Sequence, residues 1–102
     1  MLNSFARAGL TEYTIPNSVT VIPEETFAGF ENLRSITIPN SVTEIGSAAF
    51  VSCSSLQTII CKPTIPPILG LGAFDNIHSN ATIIIPEGCE KAYLSSDWRD
   101  DL

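Results

Sequence analysis

The chain repeats itself every 23 residues, and that period restricts the folds open to it more than any other feature. Leu10, Leu33 and Leu56 stand 23 apart. The same step links Tyr13, Ile36 and Ile59, then Ile15, Ile38 and Cys61, then Val19, Val42 and Ile65, and finally Ile22, Ile45 and Ile68. Phe27 and Phe50 follow it as well, and the block Thr14-Ile15-Pro16-Asn17-Ser18-Val19-Thr20 recurs as Thr37-Ile38-Pro39-Asn40-Ser41-Val42-Thr43. One residue inserted near Gly70-Leu71-Gly72 brings Phe74 under Phe50. It also sets Ile83 and Ile85 under Ile59 and Cys61, and Trp98 under Phe74. A period of 20–50 residues is the signature of stacked repeats, in which each unit touches only its neighbours.

Each unit has a physical reading. Ser35-Ile36-Thr37-Ile38 alternates polar and apolar residues with branched side chains, the pattern of a half-buried strand. Pro39 ends it by removing a ladder donor, and Asn40-Ser41 supply turn chemistry. Val42-Thr43-Glu44-Ile45 predicts a second short extended piece. Ser47 then predicts a capped helical turn through Ala48, Ala49 and Phe50, and Pro23-Glu24-Glu25 the same turn one unit earlier. One such coil buries too little apolar surface to offset the ordering of its own backbone, so only stacked coils with parallel strand pairing are stable.

These residues resemble the BspA-type leucine-rich repeat family, whose pattern is approximately L-x-x-I-x-I-P-x-S-V-x-x-I-x-x-x-A-F-x-x-C-x-x-L. Leu33 through Leu56 match nearly every specified position, including Ala49-Phe50 and Cys53. The preceding unit carries Thr26 for Ala and Phe30 for Cys, and the following one carries Lys62 for Pro, with Pro63, Pro66 and Pro67 stiffening its turn. The resemblance covers residues 5–102. It implies a β-rich leucine-rich repeat solenoid of the α/β class: a right-handed coil with a parallel β-sheet on its concave face and short helical turns and extended segments on the convex side. It also implies a binding role on a bacterial surface or in secretion, some members looking like adhesins.

The chain divides accordingly into a single repeat domain, 1–102, with a partial N-terminal repeat (1–9), three repeats (10–32, 33–55 and 56–79) and a C-terminal capping repeat (80–102). In that last unit Ile83-Ile84-Ile85-Pro86 predicts a strand, and Cys89, Ala92 and Tyr93 form a helical face. Ser95 or Ser96 caps a final turn that brings Trp98 onto the open end of the stack. Phe5-Ala6-Arg7-Ala8-Gly9-Leu10 reads as the second half of a shorter repeat with no cap before it. The expectation is a C-terminal piece of a longer array, or self-association through the uncapped N-terminal end.

Charge and motifs narrow the function. Eleven Asp and Glu against five Lys and Arg give a net charge of −6, the wrong sign for general binding to nucleic acid or an anionic membrane. No apolar run reaches the ~18–20 residues of a membrane span, and Met1 to Arg7 lack the apolar core of a signal peptide. His78 sits in a polar loop without a nucleophile elbow, and with Asp75 alone it lacks a metal-ligand set. Carboxylate pairs Glu24-Glu25 and Asp100-Asp101 fit helix starts or the tail. No catalytic residue, cofactor or metal is called. Cys53, Cys61 and Cys89 read as small buried hydrophobes, with a disulfide between coils or a reactive thiol as alternatives. Asn80-Ala81-Thr82 is a glycosylation sequon, irrelevant in a bacterial protein.

What remains is the outward face of the strands. Its positions stack into columns: Arg34, Gln57 and Ala81; Glu12, Ser35, Thr58 and Thr82; Thr14, Thr37, Ile60 and Ile84. Glu12, Thr14, Arg34, Ser35, Thr37, Gln57, Thr58, Ile60, Thr82 and Ile84 are the candidate concave-face binding residues. Ser and Thr favour the pleat whatever the ligand, whereas adjacent outward isoleucines make an apolar patch. Replacing Ile60 and Ile84 together by Asp is expected to abolish partner binding with stability within about 1 kcal/mol. The expected function is a non-catalytic module holding a protein or glycan, the alternative a structural C-terminal cap without a ligand of its own.

Overall fold

The computed structural model describes residues 9–102. Alternating branched residues make the chain run β1 (Glu12–Thr14), β2 (Val21–Ile22), β3 (Ser35–Ile38), β4 (Glu44–Ile45), β5 (Thr58–Cys61), β6 (Ile68–Leu69), β7 (Thr82–Ile84) and α1 (Glu90–Leu94). A 3-10 helix over Asp97–Asp101 follows. Odd-numbered strands form one parallel sheet, β1-β3-β5-β7, and even-numbered strands a second, β2-β4-β6. Successive coils thus pair strand to strand as the repeat demands, giving a parallel-sheet solenoid of about three turns.

Between the sheets lies one apolar core. Leu33, Ile36, Ile38, Ile45, Phe50, Leu56 and Ile59 are wholly buried, with Leu10 packed against them at the N-terminal side. The phenylalanine column is stacked, Phe27 on Phe50 at 5.1 Å between centroids and Phe50 on Phe74 at 5.4 Å, and Trp98 closes it at 5.5 Å from Phe74. Ser96 caps the final turn by accepting from the Trp98 amide at 3.1 Å.

The inserted residue lies elsewhere than expected. β5 keeps the 23-residue step, Ile38 opposite Cys61, but β6 has moved to 24, with Glu44 opposite Ile68 and Ile45 opposite Leu69. The extra residue therefore belongs to the turn between Lys62 and Pro67, not to Gly70-Leu71-Gly72. Leu69 takes the inward place, while Ile68 is 64% exposed and Ile65 81%; neither joins the core. Prolines at 66 and 67 cannot donate to a ladder, so the chain needs a wider turn before it can pair again. Donors from the last unit hold that turn: Tyr93 Oη donates to the Pro63 carbonyl at 2.6 Å and Trp98 Nε1 to the Pro67 carbonyl at 2.9 Å.

The expected helical turns at Pro23-Glu24-Glu25 and at Ser47 to Phe50 are instead runs of tight turns. Glu25, Ala48 and Gly72 occupy one repeat position and all have positive φ, 61°, 57° and 67°. Gly29, Ser52 and Asn76 occupy a second, at 76°, 61° and 60°. Left-handed residues at these places interrupt a helix and make successive amides point alternately. Ala49 N donates within its own turn to Gly46 O, whereas Phe50 N donates across to Ala73 O at 2.8 Å. An α-helix would turn its amides, after the first four, into its own ladder and away from the neighbouring coil.

All but Gly9 of the partial repeat expected over residues 1–9, and the end to which self-association is assigned, lie outside the described residues.

Candidate functional site

The outward face of the first sheet is built by the register alone. Glu12, Ser35, Thr58 and Thr82 are mutual neighbours across the four strands, as are Thr14, Thr37, Ile60 and Ile84. Alternation sends Ile36, Ile59 and Ile83 inward between them. Arg34 and Gln57 are exposed beside the first column, with Gln57 N donating to Arg34 O at 2.9 Å and Thr82 N to Gln57 O at 2.7 Å. Glu12, Thr14, Thr82 and Ile84 are exposed, Ile84 at 48%, while Ser35, Thr37, Thr58 and Ile60 are half-buried by their neighbours. All ten candidate residues therefore share one surface, polar except where Ile60 and Ile84 adjoin on β5 and β7.

Two shallow grooves cross it and meet at Ile60. One, of about 260 Å³, is lined by Glu12, Tyr13, Thr14, Ser35, Thr37 and Ile60. The other, of about 350 Å³, is lined by Ile60, Lys62, Ile84, Ile85 and Pro86, with Cys61 at its floor. Lys62, Ile85 and Pro86 were not among the candidates. The signal for Lys62 was available, since it is two residues beyond Ile60 on the same strand face.

The remaining chemistry-bearing residues lie elsewhere. His78 is in a turn, its Nδ1 accepting from Asn80 N at 3.0 Å. Cys53, Cys61 and Cys89 are free thiols. Cys53 and Cys61 are buried, and Cys53 donates to Phe27 O at 3.0 Å. Cys89, the N-cap of α1, is only half-buried, contrary to its reading as a buried residue. Burial pushes the Cys61 thiol up to about 11, opposed by its bond with Tyr93 at 3.2 Å. Burial likewise raises the Tyr93 phenol, with Cys61 adding to it. Asp101 is raised by burial first and then by Asp100 and Asp75. Among the described residues no three His, Cys, Asp or Glu are placed to hold a metal ion, and no helix is long and apolar enough to cross a membrane.

No curated protein shows significant similarity to the chain. The family model for the BspA type leucine rich repeat region, of six copies, matches residues 2–96. That match spans the coils, both sheets and α1. Together with the register of the strands, it establishes that the chain belongs to the BspA-type leucine-rich repeat family.

Proposed function

We propose that this chain is a non-catalytic recognition module of a bacterial surface or secreted protein, holding a protein or glycan on the outward face of its first sheet. The observation that carries this reading is the Ile60–Ile84 pair, two isoleucines side by side in a column that otherwise holds threonine, one of them half exposed to water. Folding does not require them there, because Thr serves the pleat equally well in β1 and β3. Repeats of this kind generally mediate protein interactions, and the surface setting follows the family resemblance.

The test is a screen of immobilised matrix proteins and glycans with the wild-type chain and with Ile84→Asp. Ile60 is half-buried, so Ile60→Thr rather than Asp is the matching second change. Loss of every captured ligand in the variants, with thermal unfolding shifted by no more than about 1 kcal/mol, supports the reading. Retention of every ligand by both variants refutes it.

The alternative of a structural end piece rests on Tyr93 and Trp98. Both are wholly buried and both donate to carbonyls of the preceding turn, which suits a terminator of the stack. It predicts that no ligand is captured at all.

A further inference from the structure

We propose that the face selects an extended peptide segment of a protein partner, one that presents an aliphatic side chain beside a carboxylate. This deepens the recognition reading above and rests on it. Lys62 stands in a column that is otherwise proline, with Pro16, Pro39 and Pro86 at the same repeat position. It is exposed at the rim of the groove that Ile60, Ile84, Ile85 and Pro86 line. In a chain with only five cations against eleven acids, a lysine at the edge of the apolar patch is a cation of the sign opposite to the net charge of the molecule. An apolar groove with one ammonium at its rim fits an aliphatic group followed by a carboxylate.

At the far corner the adjoining groove ends at Glu12 among the hydroxyls of Ser35 and Thr37, with Arg34 exposed beside the same column, a polar corner of both signs that suits an amide- or hydroxyl-bearing residue. From β1 to β7 the face crosses three strand spacings, about 14 Å, so an extended segment of about five residues spans it. The fitting segment thus carries polar residues at one end and an aliphatic–acidic pair at the other. A glycan offers no aliphatic side chain to fill the Ile60–Ile84 groove, so the pairing favours a peptide.

The experiment is selection from a displayed random heptapeptide library on immobilised wild-type chain, on Ile84→Asp and on Lys62→Glu. Circular dichroism and melting confirm that each variant is folded, and Ile84→Thr replaces Ile84→Asp if the latter is not. The expected result is a family of peptides enriched on wild type, lost on the Ile84 variant, carrying Leu, Ile or Val next to Asp or Glu. Synthetic copies should bind Lys62→Glu about threefold to fivefold more weakly, the range of one exposed charge pair, and should weaken on raising salt. Enriched peptides without an acidic residue, or with affinity unchanged by Lys62→Glu, overturn the proposed ligand class and leave the recognition face standing. Failure to enrich any peptide above the Ile84 variant removes the peptide proposal, and an empty matrix-protein and glycan screen then removes the recognition face as well.

Discussion

Replacing Tyr93 by Phe isolates the contribution of the C-terminal unit to the irregular turn it covers. Tyr93 is wholly buried, and its single hydroxyl proton goes to the Pro63 carbonyl at 2.6 Å. The oxygen is then the acceptor for the Cys61 thiol at 3.2 Å. Phe keeps the ring and its edge contact with Trp98, 5.5 Å between centroids, so little cavity is created. What is lost is the bond to Pro63 and the weaker one from the Cys61 thiol, and what is left is a buried carbonyl without a donor. Such a group costs about 1–3 kcal/mol, and the middle of that range, about 2 kcal/mol, lowers the melting temperature of a domain this size by about 8–16 °C. Trp98, the single tryptophan, reports the transition by fluorescence during urea unfolding, where the midpoint should fall at unchanged slope. Cys61→Ala in both backgrounds completes a double-mutant cycle. A small coupling is expected, since a thiol is a weak donor. A change below about 0.5 kcal/mol in Tyr93→Phe would refute the reasoning, because the Pro63 carbonyl would then find water without help from the cap.

Three further outcomes follow from the coil geometry. A Cβ on Gly46 would lie 2.8 Å from Glu24 Cα and Pro23 C, with Glu24 N nearer still. Gly46→Ala should therefore destabilise by about 3 kcal/mol or more, overpacking against backbone that cannot yield, and a near-neutral urea midpoint would show the coils can separate there. Ser52 is exposed with φ 61°, at the repeat position where Gly29 sits. Ser52→Gly should raise stability by about 0.5–1 kcal/mol, the left-handed strain removed less the added freedom of the unfolded chain; a lower melting temperature contradicts it. Stability should also fall in alkali. The Cys61 thiol ionises near 9.0 when unfolded but only at about 11 when folded, so its contribution is intact below pH 9 and is lost as pH rises towards 11. The raised Tyr93 phenol acts in the same direction, and a flat urea midpoint from pH 8 to 11 would rule this out.

How much of this was legible in the sequence depended on whether a side chain or a dihedral carried the information. The strands, their register and the phenylalanine column were readable because burial selects Ile, Leu and Phe at fixed steps. The position of the inserted residue was not, because Ile65-Pro66-Pro67-Ile68-Leu69 is apolar throughout and has no period of its own. The 23-residue step puts Ile68 in the core column with Ile22 and Ile45, whereas pairing gives that place to Leu69. The tight turns were missed because Ser47-Ala48-Ala49-Phe50 consists of acceptable helix residues, and a positive φ at Ala48 leaves no mark on its side chain. Its mark lies one coil further on, where Gly72 takes the same place; columns of the repeat carry backbone information that a single unit lacks. The same distinction governs the binding face. Ser35, Thr37, Thr58 and Thr82 satisfy the pleat whether or not anything binds, so their pattern says nothing about a ligand. Information about a ligand can reside only where the chain departs from what stacking requires: at Ile60 and Ile84 in a threonine column, and at Lys62 in a proline column. Those departures lie together at one end of the face, which is why a recognition role is better argued from the irregularities of this solenoid than from its regularity.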